Sequence, residues 1–149
     1  MHISYKIDYA LKVILHLAGN YPDKMDHIKD ISNTQDIPKK FLEQVLLLLK
    51  KGGFVMSKKG PRGGYYLKKP PEDITMGDII KYIDGPVSPI SCLDKGNEAS
   101  CDFSSFCVFK PVFNEVGKAI SNIIDNKNFK ELLSKYNSLK ENAVLDFQI

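Results

Sequence analysis

A chain of 149 residues with a net charge of +3, 43% hydrophobic and 26% charged residues, has the make-up of one globular domain, or one domain with a small appendage. It has no apolar run of the ~18 residues that a membrane span requires, no internal repeat, no low-complexity tract and no tryptophan. Its apolar first twenty residues are interrupted by Lys6, Asp8 and Lys12 and lack a charged leader, so no signal peptide is expected and the expected compartment is cytoplasmic.

Residues 4–18 read as a largely buried helix, with Ser4 as its cap and Gly19–Asn20 as its end. Residues 21–25 form a loop. Asp26 is expected to open a short helix that turns Ile28 and Ile31 inward, and residues 33–36 carry turn chemistry. A longer helix follows from Pro38, a residue suited to the first helical turn. Phe41, Leu42, Val45, Leu46 and Leu49 give it one buried face, while Lys39, Lys40, Glu43, Gln44, Leu47, Lys50 and Lys51 fall largely on the other. Gly52–Gly53 ends it. Two β-prone runs, 54–57 and 65–67, are joined by KKGPRGG and make a hairpin with a basic tip. A short helix, a turn, a longer helix and a hairpin are the grammar of a winged helix-turn-helix.

Charge singles out the same stretch. Residues 37–71 hold nine lysines and arginines against Glu43 alone, a local net of +8 that leaves −5 for the rest of the chain. That asymmetry is the footprint of a polyanion-binding face on an acidic body; a solvated lysine-rich surface is the plainer alternative. In the nucleic-acid reading, Gln44 suits adenine, Glu43 suits cytosine N4, and Lys39 and Lys40 suit phosphates or a base edge at the helix start. The tip, Lys58, Lys59, Gly60, Pro61, Arg62 and Gly63, would set Arg62 in or beside the minor groove of double-stranded DNA.

Residues 68–73 are a linker. Thr75 and Asp78 form a carboxylate version of the capping box, opening a helix that buries Met76, Ile79, Ile80 and Ile83 and stops at Gly85–Pro86. Residues 89–107 lack periodicity and read as a long, functional loop. From about Val108 a helix carries Val112, Val116, Ile120, Ile123 and Ile124 as an apolar stripe. This exceeds what one small domain needs, and its simplest use is a homodimer; packing back on its own domain is the alternative. The tail reads as a short helix over 129–136 and an extended piece over 142–149. The resulting organisation is a mainly α chain: a winged-helix domain over 1–85, a cysteine-bearing loop over 86–107, and a dimerisation helix with tail over 108–149.

Cys92, Cys101 and Cys107, the three cysteines of the chain, lie within sixteen residues of polar loop. Three soft thiolates on one loop are what an iron–sulfur cluster or a zinc ion requires, although C-x8-C-x5-C is no standard zinc-finger or ferredoxin spacing. A fourth ligand must come from elsewhere: His2, His16, His27 or Asp8. His16 among apolar neighbours reads as a core histidine with a satisfied ring, and Asp8 as an i,i+4 partner of Lys12. A thiol switch without any metal is the second reading of the cysteines. A basic adaptor binding an acidic protein is a third reading of the chain. No cysteine has a histidine near it and GPRGG joins strands rather than opening a helix, so an enzyme is not expected.

Four stretches, MHISYKIDYALKVILHLA, FLEQVLLLLKKGGFV, KKGPRGGYYL and DITMGDIIKYIDGP, together with the cysteine loop, resemble the Rrf-type winged-helix transcription regulators that include IscR, NsrR and CymR. The resemblance covers all but about the last twenty residues. It implies a homodimeric DNA-binding regulator, with Cys92, Cys101 and Cys107 matching the positions that hold an iron–sulfur cluster, [2Fe-2S] or [4Fe-4S], in some members. Two departures stand out: the first cysteine gap is wider, and Lys110 occupies the place of a histidine ligand found in IscR-like members. NsrR-like members draw a fourth ligand from an aspartate near the start of the first helix, which implies Asp8 here, contributed from the other subunit.

Overall fold

The computed structural model describes residues 4–93, 103 and 105–146. Helix α1, Tyr5–Asn20, starts where Ser4 accepts a hydrogen bond from the Ile7 N–H at 3.5 Å, and it buries Ile7, Ala10, Val13, Ile14, Leu17 and Ala18. It continues through Gly19 and Asn20 and stops at Tyr21, because the residue before a proline is pushed out of the helical region. Helix α2, Ile28–Gln35, begins two residues after the expected Asp26. Asp26 is extended instead. Its N–H donates to the Tyr65 carbonyl at 3.0 Å and its carbonyl accepts from the Tyr65 N–H at 2.8 Å.

The expected turn over 33–36 contracts to a single left-handed residue, Asp36, at φ 50 and ψ 46. Aspartate tolerates this region, which glycine would otherwise supply. The Ile37 N–H reaches back to the Ser32 carbonyl at 3.1 Å, and the Ser32 hydroxyl donates to the Ile37 carbonyl at 2.7 Å. Helix α3, Lys39–Lys51, follows with Pro38 just outside it, and buries Leu42, Val45, Leu46 and Leu49. Phe41, expected in the core, is 38% exposed and stacks edge-on against Tyr5, its ring centroid 5.7 Å away.

After Gly53, at φ +74, strands β1, Val55–Lys58, and β2, Gly64–Leu67, pair antiparallel with Val55 opposite Leu67 and Lys58 opposite Gly64. Val55 and Leu67 point into the main core with residues of α1, α2 and α3. A 3₁₀ turn at Pro71–Asp73 leads to α4, Met76–Asp84. Its capping box is complete: the Asp78 N–H donates to Thr75 Oγ1 at 3.0 Å and the Thr75 N–H donates to Asp78 Oδ2 at 2.9 Å.

A second 3₁₀ turn, Ser91–Leu93, precedes α5, Phe109–Asp125, and α6, Phe129–Asp146. The tail is therefore one helix of 18 residues rather than a short helix and an extended piece. No glycine or proline interrupts FKELLSKYNSLKENAVLD, so nothing in it breaks the helix. Phe129, 1% exposed, places the start of α6 in the main core. The joint between α5 and α6 is tied to α4: the Met76 N–H donates to Lys127 O at 2.8 Å and the Phe129 N–H donates to Ile74 O at 3.0 Å. A small second cluster of Ile7, Ile80 and Ile124 joins α1, α4 and α5.

Candidate nucleic-acid interface and cysteine loop

The exposed face of α3 carries Lys39, Lys40, Glu43, Gln44 and Leu47, as helical spacing requires once Leu42, Val45, Leu46 and Leu49 are buried. Lys39 Nζ lies 3.9 Å from Glu43 Oε1, both more than half exposed, a contact worth ~0.3–0.5 kcal/mol at most and easily exchanged for a ligand. Gln44 makes no side-chain hydrogen bond among the described residues and stands free in a shallow cleft between α1 and α3. Tyr5, Lys6, Phe41, Leu47 and Lys51 border the same cleft. Lys6 lies outside the basic stretch in sequence, and only the packing of α1 on α3 brings its charge to this face.

The hairpin tip continues the surface. Lys58, Lys59, Gly60, Pro61 and Arg62 are exposed, while Gly63 is buried and donates its N–H to Gly60 O at 3.0 Å. A side chain at Gly63 would collide with the Lys58 carbonyl, so glycine is what closes this turn. Lys50 Nζ donates to Ser57 Oγ at 2.6 Å and links the end of α3 to β1. All ten residues that the sequence nominates thus lie on α3 or at the tip next to it, on elements held by one core.

The proposed ligand set is not gathered in the same way. Cys92 sits in the 3₁₀ turn and Cys107 just ahead of α5; both are free thiols, half-buried. Cys101 lies outside the described residues. Cys92 shares a shallow surface with Lys110, Pro111 and Asn114. Asp8 is exposed on α1 and pairs with Lys12 at 2.8 Å, the i,i+4 contact anticipated for it. Among the described residues no three Cys, His, Asp or Glu side chains converge as a metal site. The donor chemistry still fits an iron–sulfur cluster: two uncommitted soft thiols flank the segment that carries the third.

His16 is half-satisfied. Gln35 Nε2 approaches its Nδ1 at 3.2 Å, while Nε2 lacks a hydrogen-bond partner and faces Asp26 Oδ2 at 3.5 Å. Burial lowers its pKa from 6.5, outweighing the pull of Asp26 in the other direction. The sequence does not single out Asp26 for this role, because it lies beyond the end of α1 and its backbone partner, Tyr65, is far along the chain.

The family model described as "Rrf2: Iron-dependent Transcriptional regulator" matches residues 3–135. An rrf2-like HTH-type transcriptional regulator of Rhodobacter capsulatus is 35% identical over 142 residues, 91% of this chain and 94% of the relative. The structure of CymR, the global cysteine regulator of Bacillus subtilis, aligns with a TM-score of 0.75 at 29% identity, covering 91% of this chain and 98% of that one. IscR of T. potens aligns with a TM-score of 0.75 at 29% identity, covering 91% and 88%. No helix among the described residues is long and apolar enough to cross a membrane. With winged-helix architecture and a family match that leaves out only its two ends, the chain belongs to the Rrf2 family: it is a DNA-binding transcription regulator and not an enzyme.

Proposed function

We propose that the chain acts as a homodimer that reads operator DNA through α3 and the wing and takes its input at the cysteine loop. The observation that carries the reading half is that the basic side chains of α3 and of the tip are exposed, within a stretch, residues 37–71, of net charge +8. α3 enters the major groove, where Gln44 reads adenine and Glu43 accepts from cytosine; Lys39 and Lys40 meet phosphates or a base edge. Lys58 and Lys59 add charge at the wing, its glycines allow the backbone to approach the duplex closely, and Arg62 lies in or beside the minor groove. Binding of the full chain to duplex DNA selected from a random pool then weakens ~10³-fold or more between about 50 and 200 mM salt, as neutralising 6–10 phosphates requires. A flat salt profile would sink this reading.

Dimerisation is supported by α5, which buries only Gly117 and Ile124 and leaves Val112 58% and Ile123 63% exposed. A second copy presenting the same stripe covers both.

Cys92, Cys101 and Cys107, with Asp8 as the fourth ligand, would hold an iron–sulfur cluster. Such a group supplies one-electron redox chemistry and a site for nitric oxide, oxygen or iron loss to act on. The chain's own part is to place two of the thiols beside α5, so that a group bound there bears on the dimer helix. Protein purified without oxygen should be coloured and contain iron and sulfide. A colourless, iron-free preparation that binds DNA rejects the cluster. A thiol switch without metal is the second reading, favoured by the half-open, uncommitted state of Cys92 and Cys107. Cys-to-Ser changes that alter DNA binding with no metal present would establish it.

A further inference from the structure

Asp26 is the one buried charged or polar residue among the described residues, 2% exposed, and it pairs with the tip-side end of β2. A buried carboxylate without partners is costly, and this one is surrounded. Asn20 Nδ2 donates to its Oδ2 at 2.5 Å, Lys24 Nζ lies 3.2 Å from Oδ1, and His16 Nε2 faces Oδ2 at 3.5 Å. Gln35 approaches the far side of the His16 ring at 3.2 Å, and Nε2 faces the carboxylate without a hydrogen bond. Asn20 and His16 belong to α1, and Gln35 is the last residue of α2, next to the left-handed turn at Asp36.

The backbone of the same residue grips the hairpin. Asp26 and Tyr65 exchange two hydrogen bonds, at 3.0 and 2.8 Å, adding a third short strand segment to β2. Gly64, at φ +150, packs so closely that a Cβ there would lie 2.7 Å from the Asp26 carbonyl oxygen. The covalent approach to the hairpin runs through Gly52 and Gly53, whose N–H groups bond back to Leu48 O and Lys50 O of α3, and Val55 and Leu67 seat the far end of the strands in the core. Asp26 holds the opposite end, next to the tip. Side chain and backbone of Asp26 therefore join the helix pair to the wing at one point.

We propose that Asp26 is a positioning residue for DNA binding: the carboxylate cluster at positions 16, 20, 24 and 26 holds the wing at the angle that lets Arg62 and Gln44 engage one duplex together. This rests on the reading of α3 and the tip as the DNA-contacting elements. Buried ion clusters are often no more stabilising than apolar packing of the same volume, so the role proposed for this one is to select one arrangement over its neighbours.

The test is a double-mutant cycle on the full-length chain, with duplex DNA selected from a random pool by the wild type as probe. Asp26→Asn and Arg62→Ala should each weaken binding about 10-fold, and together still about 10-fold rather than the ~100-fold of independent sites. Asp26→Asn with Gln44→Ala should multiply. If Asp26→Asn is without effect, or multiplies with Arg62→Ala, the positioning role is overturned while the wing contact stands. If Arg62→Ala itself changes nothing, the wing reading fails and this inference with it. If Asp26→Asn is non-multiplicative with both partners, it loosens the whole domain, and the proposal is again overturned. Where far-UV circular dichroism shows Asp26→Asn unfolded, Lys24→Ala, which removes a 67% exposed partner, runs the same cycle under the same criteria with an effect of about 3-fold.

Discussion

The two ends of this molecule are built to different standards of closure. From α1 to α4 every element buries its apolar stripe: Ala10, Val13, Ile31, Leu42, Leu49 and Ile79 are wholly inaccessible. Helix α5 is as amphipathic as any of them and buries two residues, while Phe109, Val112, Val116 and Ile123 stay open. A finished core, closed by Phe129 of α6, stands beside an α5 whose exposed apolar stripe suits the second copy proposed above.

That contrast can be broken at several points. Phe129→Ala should have the largest effect, ~3–5 kcal/mol of stability, since Phe129 is 1% exposed and anchors α6 in the finished core; chemical denaturation measures it. Val116→Glu with Ile123→Glu should leave the circular dichroism spectrum and melting unchanged, convert the protein to a monomer in sedimentation velocity, and weaken DNA binding by about 100-fold as the second half-site contact is lost. If these changes unfold the chain instead, α5 belongs to the monomer's core and the contrast dissolves. Thr75→Ala removes one arm of the capping box at the start of α4 and should cost ~1 kcal/mol, without changing the dimer.

Acid gives the smallest and most local effect. Burial holds His16 below its ordinary 6.5, so the folded chain favours the neutral ring and the unfolded chain binds more protons. The contribution to stability is complete above pH 6.5 and is lost as the pH falls through the lowered value. Melting temperatures should fall with acidification in that window, and less steeply in His16→Gln. A parallel slope in the variant would assign the acid effect to other groups.

Legibility in the sequence followed the same divide. Helices with one buried stripe, the hairpin and the Thr75–Asp78 cap were readable because each is fixed by residues within a few positions of one another. So was the basic face, a local run of charge. What escaped depends on distance along the chain. Asp26 reads as a helix start until Tyr65 claims its backbone, and Phe41 reads as core until the Tyr5 ring is found beside it at the surface. The α6 tail was underread because most of its surface is polar, yet Phe129, Leu132, Leu133, Tyr136 and Leu139 recur at helical spacing and the first three root it in the core. The cysteine loop was legible as chemistry and not as geometry, since thiol spacing alone does not say how a loop closes.

The two hydrogen bonds that tie the α5–α6 joint to α4, and the close seat of Gly117 against Val87 and Pro89, divide α5 mechanically. From Gly117 to Asp125 it is held; Phe109–Val116 extends about 12 Å beyond that seat at 1.5 Å per residue, with Lys110, Pro111 and Asn114 beside Cys92. Gly117 is the fulcrum. A pivot of about 10° there moves the Cys107 end by roughly 2 Å and leaves Ile124 in place. In the proposed homodimer, strain arriving from the cysteines would act as leverage on the contact that Phe109–Val116 makes with the partner.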